Sequence, residues 1–266
     1  KIYQNGGFSV ISGTAGNDRI DVWGGGQGGL PVKAIIYAGS GNDTIQPHGN
    51  VGLIVYLGSG NDVVQENNYR RRPFDDDLII YSDPTVYAGS GNNTINTIDG
   101  YIVIADNGNN YISGNQVVVG NGNNTIAANT GYLVVQVGNG NNVIHAIEAT
   151  IGNGNNTISS VISKIFYIED AIKSYSRIFV GDGDNCITGG YYYTFNDSIG
   201  SHYFKGTMDV IVGDGNNNIG REVSYFNSEG RLWLNGRVNT FYNVTVGTGN
   251  NTIIAKNDIV AGDGNN

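Results

Sequence analysis

One phrase dominates this chain. Gly-x-Gly-Asn-(Asn/Asp), matched in full by nine copies and altered at one position in three more, returns twelve times in 266 residues, and in eleven copies one more residue and then Ile or Val follow. The second glycine of each copy stands at position 16, 41, 60, 91, 108, 122, 140, 154, 183, 215, 249 or 264. A fixed phrase at short spacing points to a solenoid, because one such unit buries its apolar face only against its neighbours. The shorter gaps are 14 to 19 residues. The longer ones read as the same unit carrying an insertion.

A clean unit runs from Gly122 to Gly138. Two strand-like runs, Thr125 to Ala127 and Tyr132 to Val137, are separated by turn residues. The second position after the Asx pair is apolar in every complete copy: Ile20, Ile45, Val64, Ile95, Ile112, Ile126, Ile144, Ile158, Ile187, Ile219 and Ile253. Stacked, these side chains form an inward ladder, and the residue before each points outward by the period of a strand. The second strand supplies the other half of the core through Ile35 and Ile36, Leu53 to Val55, Ile102 to Ile104, Val117 to Val119 and Leu133 to Val135. The expected fold is all-β, a parallel β-solenoid (β-roll or β-helix-like) of about 11–12 coils with loop insertions on one side. It is read as a single repeat domain over residues 1–266, a processed chain or a fragment of a longer protein. The insertions are residues 65–84, 159–177, 188–209 and 220–243, rich in aromatic and charged side chains.

Composition narrows the function classes. The formal charge is −9, an acidic balance that argues against nucleic-acid binding, which needs a clustered basic surface. One cysteine, Cys186, excludes an internal disulfide. No apolar run is long enough for a membrane-spanning helix, so no membrane insertion is expected. The acidity suits divalent cations and an extracellular or cell-surface location.

The copies Ala38-Gly-Ser-Gly-Asn-Asp-Thr-Ile-Gln46 and Leu57-Gly-Ser-Gly-Asn-Asp-Val-Val-Gln65 resemble the calcium-binding nonapeptide of RTX (hemolysin-type) proteins, Gly-Gly-x-Gly-x-Asp-x-U-x. Gly13 to Ile20 is a partial match. The resemblance implies a parallel β-roll, with calcium held by the Asp and by turn carbonyls. Carried over by position, the ligands would be Asp18, Asp43 and Asp62. From the fourth copy on, the same position is Asn: Asn93, Asn110, Asn124, Asn142, Asn156, Asn185, Asn217, Asn251 and Asn266. Amide oxygens are weak calcium ligands beside carboxylates. Stacked Asn side chains can instead hydrogen-bond in a ladder. Calcium is therefore expected near the N-terminal repeats only, with Asp182, Asp184, Asp214 and Asp263 a weaker second group.

Seven Asn-x-Ser/Thr sequons occur, at Asn42, Asn92, Asn123, Asn155, Asn196, Asn243 and Asn250. Five belong to the turn phrase, so their presence has a structural reason. His48, His145 and His202 show no metal-ligand spacing. No nucleophile elbow, His-Glu-x-x-His or phosphate-binding loop is present. The chain is read as no enzyme but a structural protein: a filament, stalk or adhesin segment, self-associating through the solenoid ends. The alternatives are a carbohydrate- or ice-binding surface module and a polysaccharide lyase- or epimerase-like enzyme. For glycans the candidate ligand-binding residues are Tyr191, Tyr192, Tyr193 and Trp233.

Overall fold

A computed structural model describes residues 2–3, 7–23, 32–48, 51–65, 85–97, 102–127, 134–146, 148–160, 173–189, 194–197, 200–203, 205–220, 224–226, 232–235, 241–255 and 258–266. Every helix or strand among them is a strand. The repeats build a parallel β-solenoid in two compact units, Lys1–Asn139 and Gly140–Asn266.

In the first unit, one sheet holds Ile2–Tyr3 and the strands that follow the Asx turns: Arg19–Trp23, Thr44–His48, Val63–Gln65, Thr94–Asn96, Tyr111–Ser113 and Thr125–Ala127. The strands that precede the turns form a second: Gly7–Ser12, Val32–Tyr37, Val51–Tyr56, Thr85–Ala88, Ile102–Ala105, Gln116–Val119 and Val134–Val137. Each strand pairs in parallel with its equivalent one repeat later, as in Ile95↔Ile112↔Ile126 and Val103↔Val117↔Val135. The second unit repeats the plan. Its first sheet holds Val143–His145, Thr157–Ser160, Cys186–Gly189, Asn218–Ile219 and Thr252–Ile253. Its second holds Glu148–Ile151, Lys173–Val180, Lys205–Val212, Phe241–Val246 and Ile259–Ala261. The seven and five described coils match the repeat count.

Period-2 geometry sorts the side chains. The expected inward ladder is buried from Ile20 to Ile219, and Ile45, Val64, Ile95, Ile112, Ile158 and Ile187 have no solvent-accessible area. Only Ile253 is partly open. Burying one such side chain stabilises the fold by about 1.5–3 kcal/mol.

The second sheet corrects the sequence reading, because its apolar runs do not all point inward. Ala34, Ile36, Leu53, Val55, Val86, Val103, Val117, Val119 and Val135 are buried, while Ile104 and Val118 are exposed and Ile35, Ile54 and Ile102 are half-buried. A continuous apolar run in a strand with one solvent face must send alternate residues outside. Tyr37, Tyr56 and Tyr87 continue this outer row, stacked at 5.0 and 4.8 Å between ring centroids.

The second glycine of the phrase is fixed twice over. Gly91 has φ +138°, and a Cβ there would lie 1.7 Å from the Gly60 carbonyl oxygen of the preceding coil. Only a residue without a side chain permits both the left-handed backbone and this contact.

Two insertions contain antiparallel pairs that the repeat pattern does not announce: Thr194–Asp197 with Gly200–Tyr203, and Ser224–Phe226 with Leu232–Asn235. Residues 66–84 and 161–172 lie outside the described residues.

Candidate functional site: the Asx ladders of the turns

Each turn presents two adjacent Asx side chains, and the chain direction gives them opposite fates. The first is exposed. Its Oδ1 accepts the backbone N–H of its equivalent in the next coil: Asn42 N–H to Asn17, Asn61 to Asn42 and Asn92 to Asn61 at 2.8 Å, then Asn109 to Asn92 and Asn123 to Asn109 at 2.8 and 2.7 Å. The second is buried, and its bonds run the other way. Asn93 N–H donates to Oδ1 of Asn110 at 3.0 Å, and Asn110 N–H to Oδ1 of Asn124 at 3.1 Å. The second unit carries both rows, the first exposed from Asn141 to Asn265 and the second buried from Asn142 to Asn251, whose N–H reaches Oδ1 of the exposed Asn266. A third row, between the two glycines, is exposed and runs Asn107, Asn121, Asn139 in the first unit and Asn153, Asp182, Asp214 in the second.

The buried amides are fully used. Asn110 Nδ2 donates to Oδ1 of Asn124 at 3.0 Å and to the Gly108 carbonyl at 3.0 Å. Asn156, Asn185 and Asn217 repeat this with Gly154, Gly183 and Gly215. A buried polar group with all its partners costs little, whereas one without them costs about 1–3 kcal/mol.

Against this pattern the three N-terminal aspartates separate. Asp18 is satisfied as a carboxylate, because its Oδ2 accepts the Thr14 backbone N–H at 2.6 Å and the Thr14 hydroxyl at 2.9 Å. Asp43 and Asp62 are buried in the ladder, each Oδ1 accepting the N–H of the preceding Asp at 2.8 Å. The second oxygen of each, Oδ2, is buried without a hydrogen-bond partner. In later coils the equivalent atom is an amide nitrogen that donates to turn carbonyls. Substituting a carboxylate there removes the donor and leaves oxygen facing oxygen. Burial, followed by the field of Asp43, raises the Asp62 carboxyl above its usual range against the lowering effect of the Asp43 backbone bond.

That donor set fits a hard cation, which takes carboxylate and carbonyl oxygens together. The fit is at Asp43 and Asp62, and Asp18 has other partners. No group of three or more His, Cys, Asp or Glu side chains suited to a metal converges among the described residues, so turn carbonyls would have to complete the shell. Asp182, Asp184 and Asp214 of the weaker group are exposed, and their Oδ1 atoms take the Asn role, accepting N–H of Asp214, Asn216 and Thr248.

Of the proposed ligand-binding aromatics, Tyr191, Tyr192 and Tyr193 lie outside the described residues. Trp233 belongs to the strand Leu232–Asn235, and its side chain lies outside them too. Two other groupings escaped the sequence reading. The Tyr37–Tyr56–Tyr87 stack was legible in a constant offset, since each tyrosine stands two residues before the first glycine of a phrase. The other pairs neighbouring coils, with His145 Nδ1 2.7 Å from Ser159 Oγ. Burial lowers the His145 pKa, so the ring is neutral near pH 7.

The chain matches no family model, and no curated protein or solved structure is significantly similar to it.

Proposed function

We propose that this chain is a structural β-solenoid of the extracellular or cell-surface kind, serving as a filament, stalk or adhesin segment. One observation carries the reading: nearly all the polar chemistry of the turns is spent on joining one coil to the next. The buried amides hold neighbouring coils and the exposed ones hold them again, so the repeated phrase builds length and leaves no reactive constellation in the ladder. Such a stack gains stability by adding coils, which suits a spacer. Calcium, held by Asp43 and Asp62 with turn carbonyls, would lock the first coils, as the RTX resemblance implies. Association through the solenoid ends would extend the stack, because a coil edge offers unpaired strand groups to another copy.

Electron microscopy of the purified full chain, with and without calcium, tests this reading. End-to-end filaments or elongated oligomers are expected. Monodisperse single copies at every concentration and calcium level would overturn the self-assembling form.

A glycan-binding surface module is the second reading, favoured by the exposed apolar row of Tyr37, Tyr56, Tyr87, Ile104 and Val118 on the second sheet. The stacked rings cover one another's faces and offer their edges and hydroxyls. Glycan-array binding that disappears in Tyr56→Ala would favour this module over the spacer.

A further inference from the structure

We infer that the exposed Asx row is an acceptor row for N-linked glycans, placed so that no two neighbouring coils within a unit are both modified. All five turn sequons fall on this row and none on the buried one. Asn42, Asn92, Asn155 and Asn250 are exposed, and each uses Oδ1 to accept the N–H of the following coil. Their Nδ2 atoms make no hydrogen bond among the described residues. Glycan transfer uses the free atom. A bond forms between Nδ2 and the sugar C1 as the bond from C1 to the phosphate of a lipid-pyrophosphate donor breaks. Nδ2 gives up one proton, and the lipid pyrophosphate departs. The carbonyl that joins the coils is untouched. In the buried row the same nitrogen is already committed to a turn carbonyl and to the next Asn.

Spacing is the second observation. The sequon needs Ser or Thr two residues after the Asn. In the first unit that position reads Arg19, Thr44, Val63, Thr94, Tyr111, Thr125, each one coil from the last. Asn42, Asn92 and Asn123 are therefore separated by the unmodifiable Asn61 and Asn109. In the second unit Asn155 stands between Asn141, whose sequon fails at Val143, and Asp184. Two coils span about 9.6 Å, against about 4.8 Å for one. The wider interval gives each first sugar room that adjacent coils would deny it.

The inference shares with the proposed function only the route through a secretory compartment, and the experiment supplies that route. The full chain, behind a cleavable signal, is translated with microsomes that carry the lipid-linked donor. A ladder of slower species that peptide N-glycosidase collapses is expected, with one step lost in each of Thr44→Val, Thr94→Val, Thr157→Val and Thr252→Val. Valine already fills this position at Val63 and Val143, so these variants spare the fold and the ladder. The glycosylated chain should be as protease-resistant as the bare one after extraction. A translocated chain that runs as a single band, glycans confined to Asn196 or Asn243, or glycosylated chain that is protease-sensitive would each overturn the assignment. A blank here leaves the filament experiment standing, and absent filaments leave this one standing.

Discussion

A single atom separates an asparagine from an aspartate, and the turns show what it does. In Asn110 that atom is a nitrogen with two acceptors in reach. In Asp43 and Asp62 it is an oxygen with no partner. Replacing both by Asn restores the donor, and each replacement should stabilise the metal-free protein by about 1–3 kcal/mol, read from urea unfolding in a chelator. The double variant should also lose any stabilisation that calcium gives the parent. A calcium effect that survives both changes would place the ion elsewhere. His145 provides the pH signature. Burial holds its folded pKa below the unfolded value of 6.5. The unfolded chain then binds more protons between the two values, so stability rises with pH through that window. The contribution is complete above pH 6.5 and drains away as pH falls through 6.5 towards the folded pKa. Urea midpoints at acid and neutral pH should differ less in His145→Gln than in the parent, and an unchanged difference would assign the effect to another group.

For a strand, position matters more than residue type. Ile112 and Tyr111 are neighbours in one strand, yet Ile112 has no accessible area and Tyr111 is 49% exposed. Ile112→Ala should cost about 2–5 kcal/mol, the range for buried large-to-small changes. Tyr111→Thr, which installs the residue found at Thr94 and Thr125, should stay within about 0.5 kcal/mol. Equal costs in urea unfolding would refute the assignment of inside and outside. This layer was largely readable from the sequence. The phrase fixes a turn, the Ile or Val two residues past the Asx pair fixes an inward strand, and Thr94 or Thr125 before it marks the outside. The second sheet was less legible because runs such as Val117 to Val119 are apolar on both faces. Periodicity cannot sort such a run, and the outward side of Val118 emerges only from its register against Ile104 and Gln136. Of the candidate site, the Asx positions were legible, but the unpartnered oxygens of Asp43 and Asp62 were not. Their isolation depends on where the carbonyls of a neighbouring turn lie. The hairpins in the insertions were missed because a pairing within a loop leaves no mark on the repeat.

Across the molecule, stability should track neighbour contacts and depend little on which coils supply them. Within each unit the backbone N–H to Oδ1 bonds recur from one described turn to the next, and the turns at Gly108 and Gly122 are separated by 14 residues with no insertion. Deleting residues 108–121 removes one whole coil and joins Asn107 to Gly122. The coil that begins at Gly91 then meets Asn123 and Asn124 in place of Asn109 and Asn110. The shortened chain should keep its β-type circular dichroism and unfold cooperatively. Deleting seven residues instead should abolish the fold, because half a coil transposes the sheets. A half-coil deletion as stable as the whole-coil one would contradict the two-sheet plan.

The two Asx rows run in opposite senses, with the buried N–H groups donating towards the following coil and the exposed ones towards the preceding coil. Within a unit, each described coil therefore offers both a donor and an acceptor to its neighbours, and one such coil can follow another. Gene duplication within such a repeat creates a junction that already works. Length can then change by whole coils without waiting for a compensating mutation, while loops drift freely between turns. The variable insertions beside an almost unvarying turn phrase are what that mode of inheritance would leave behind.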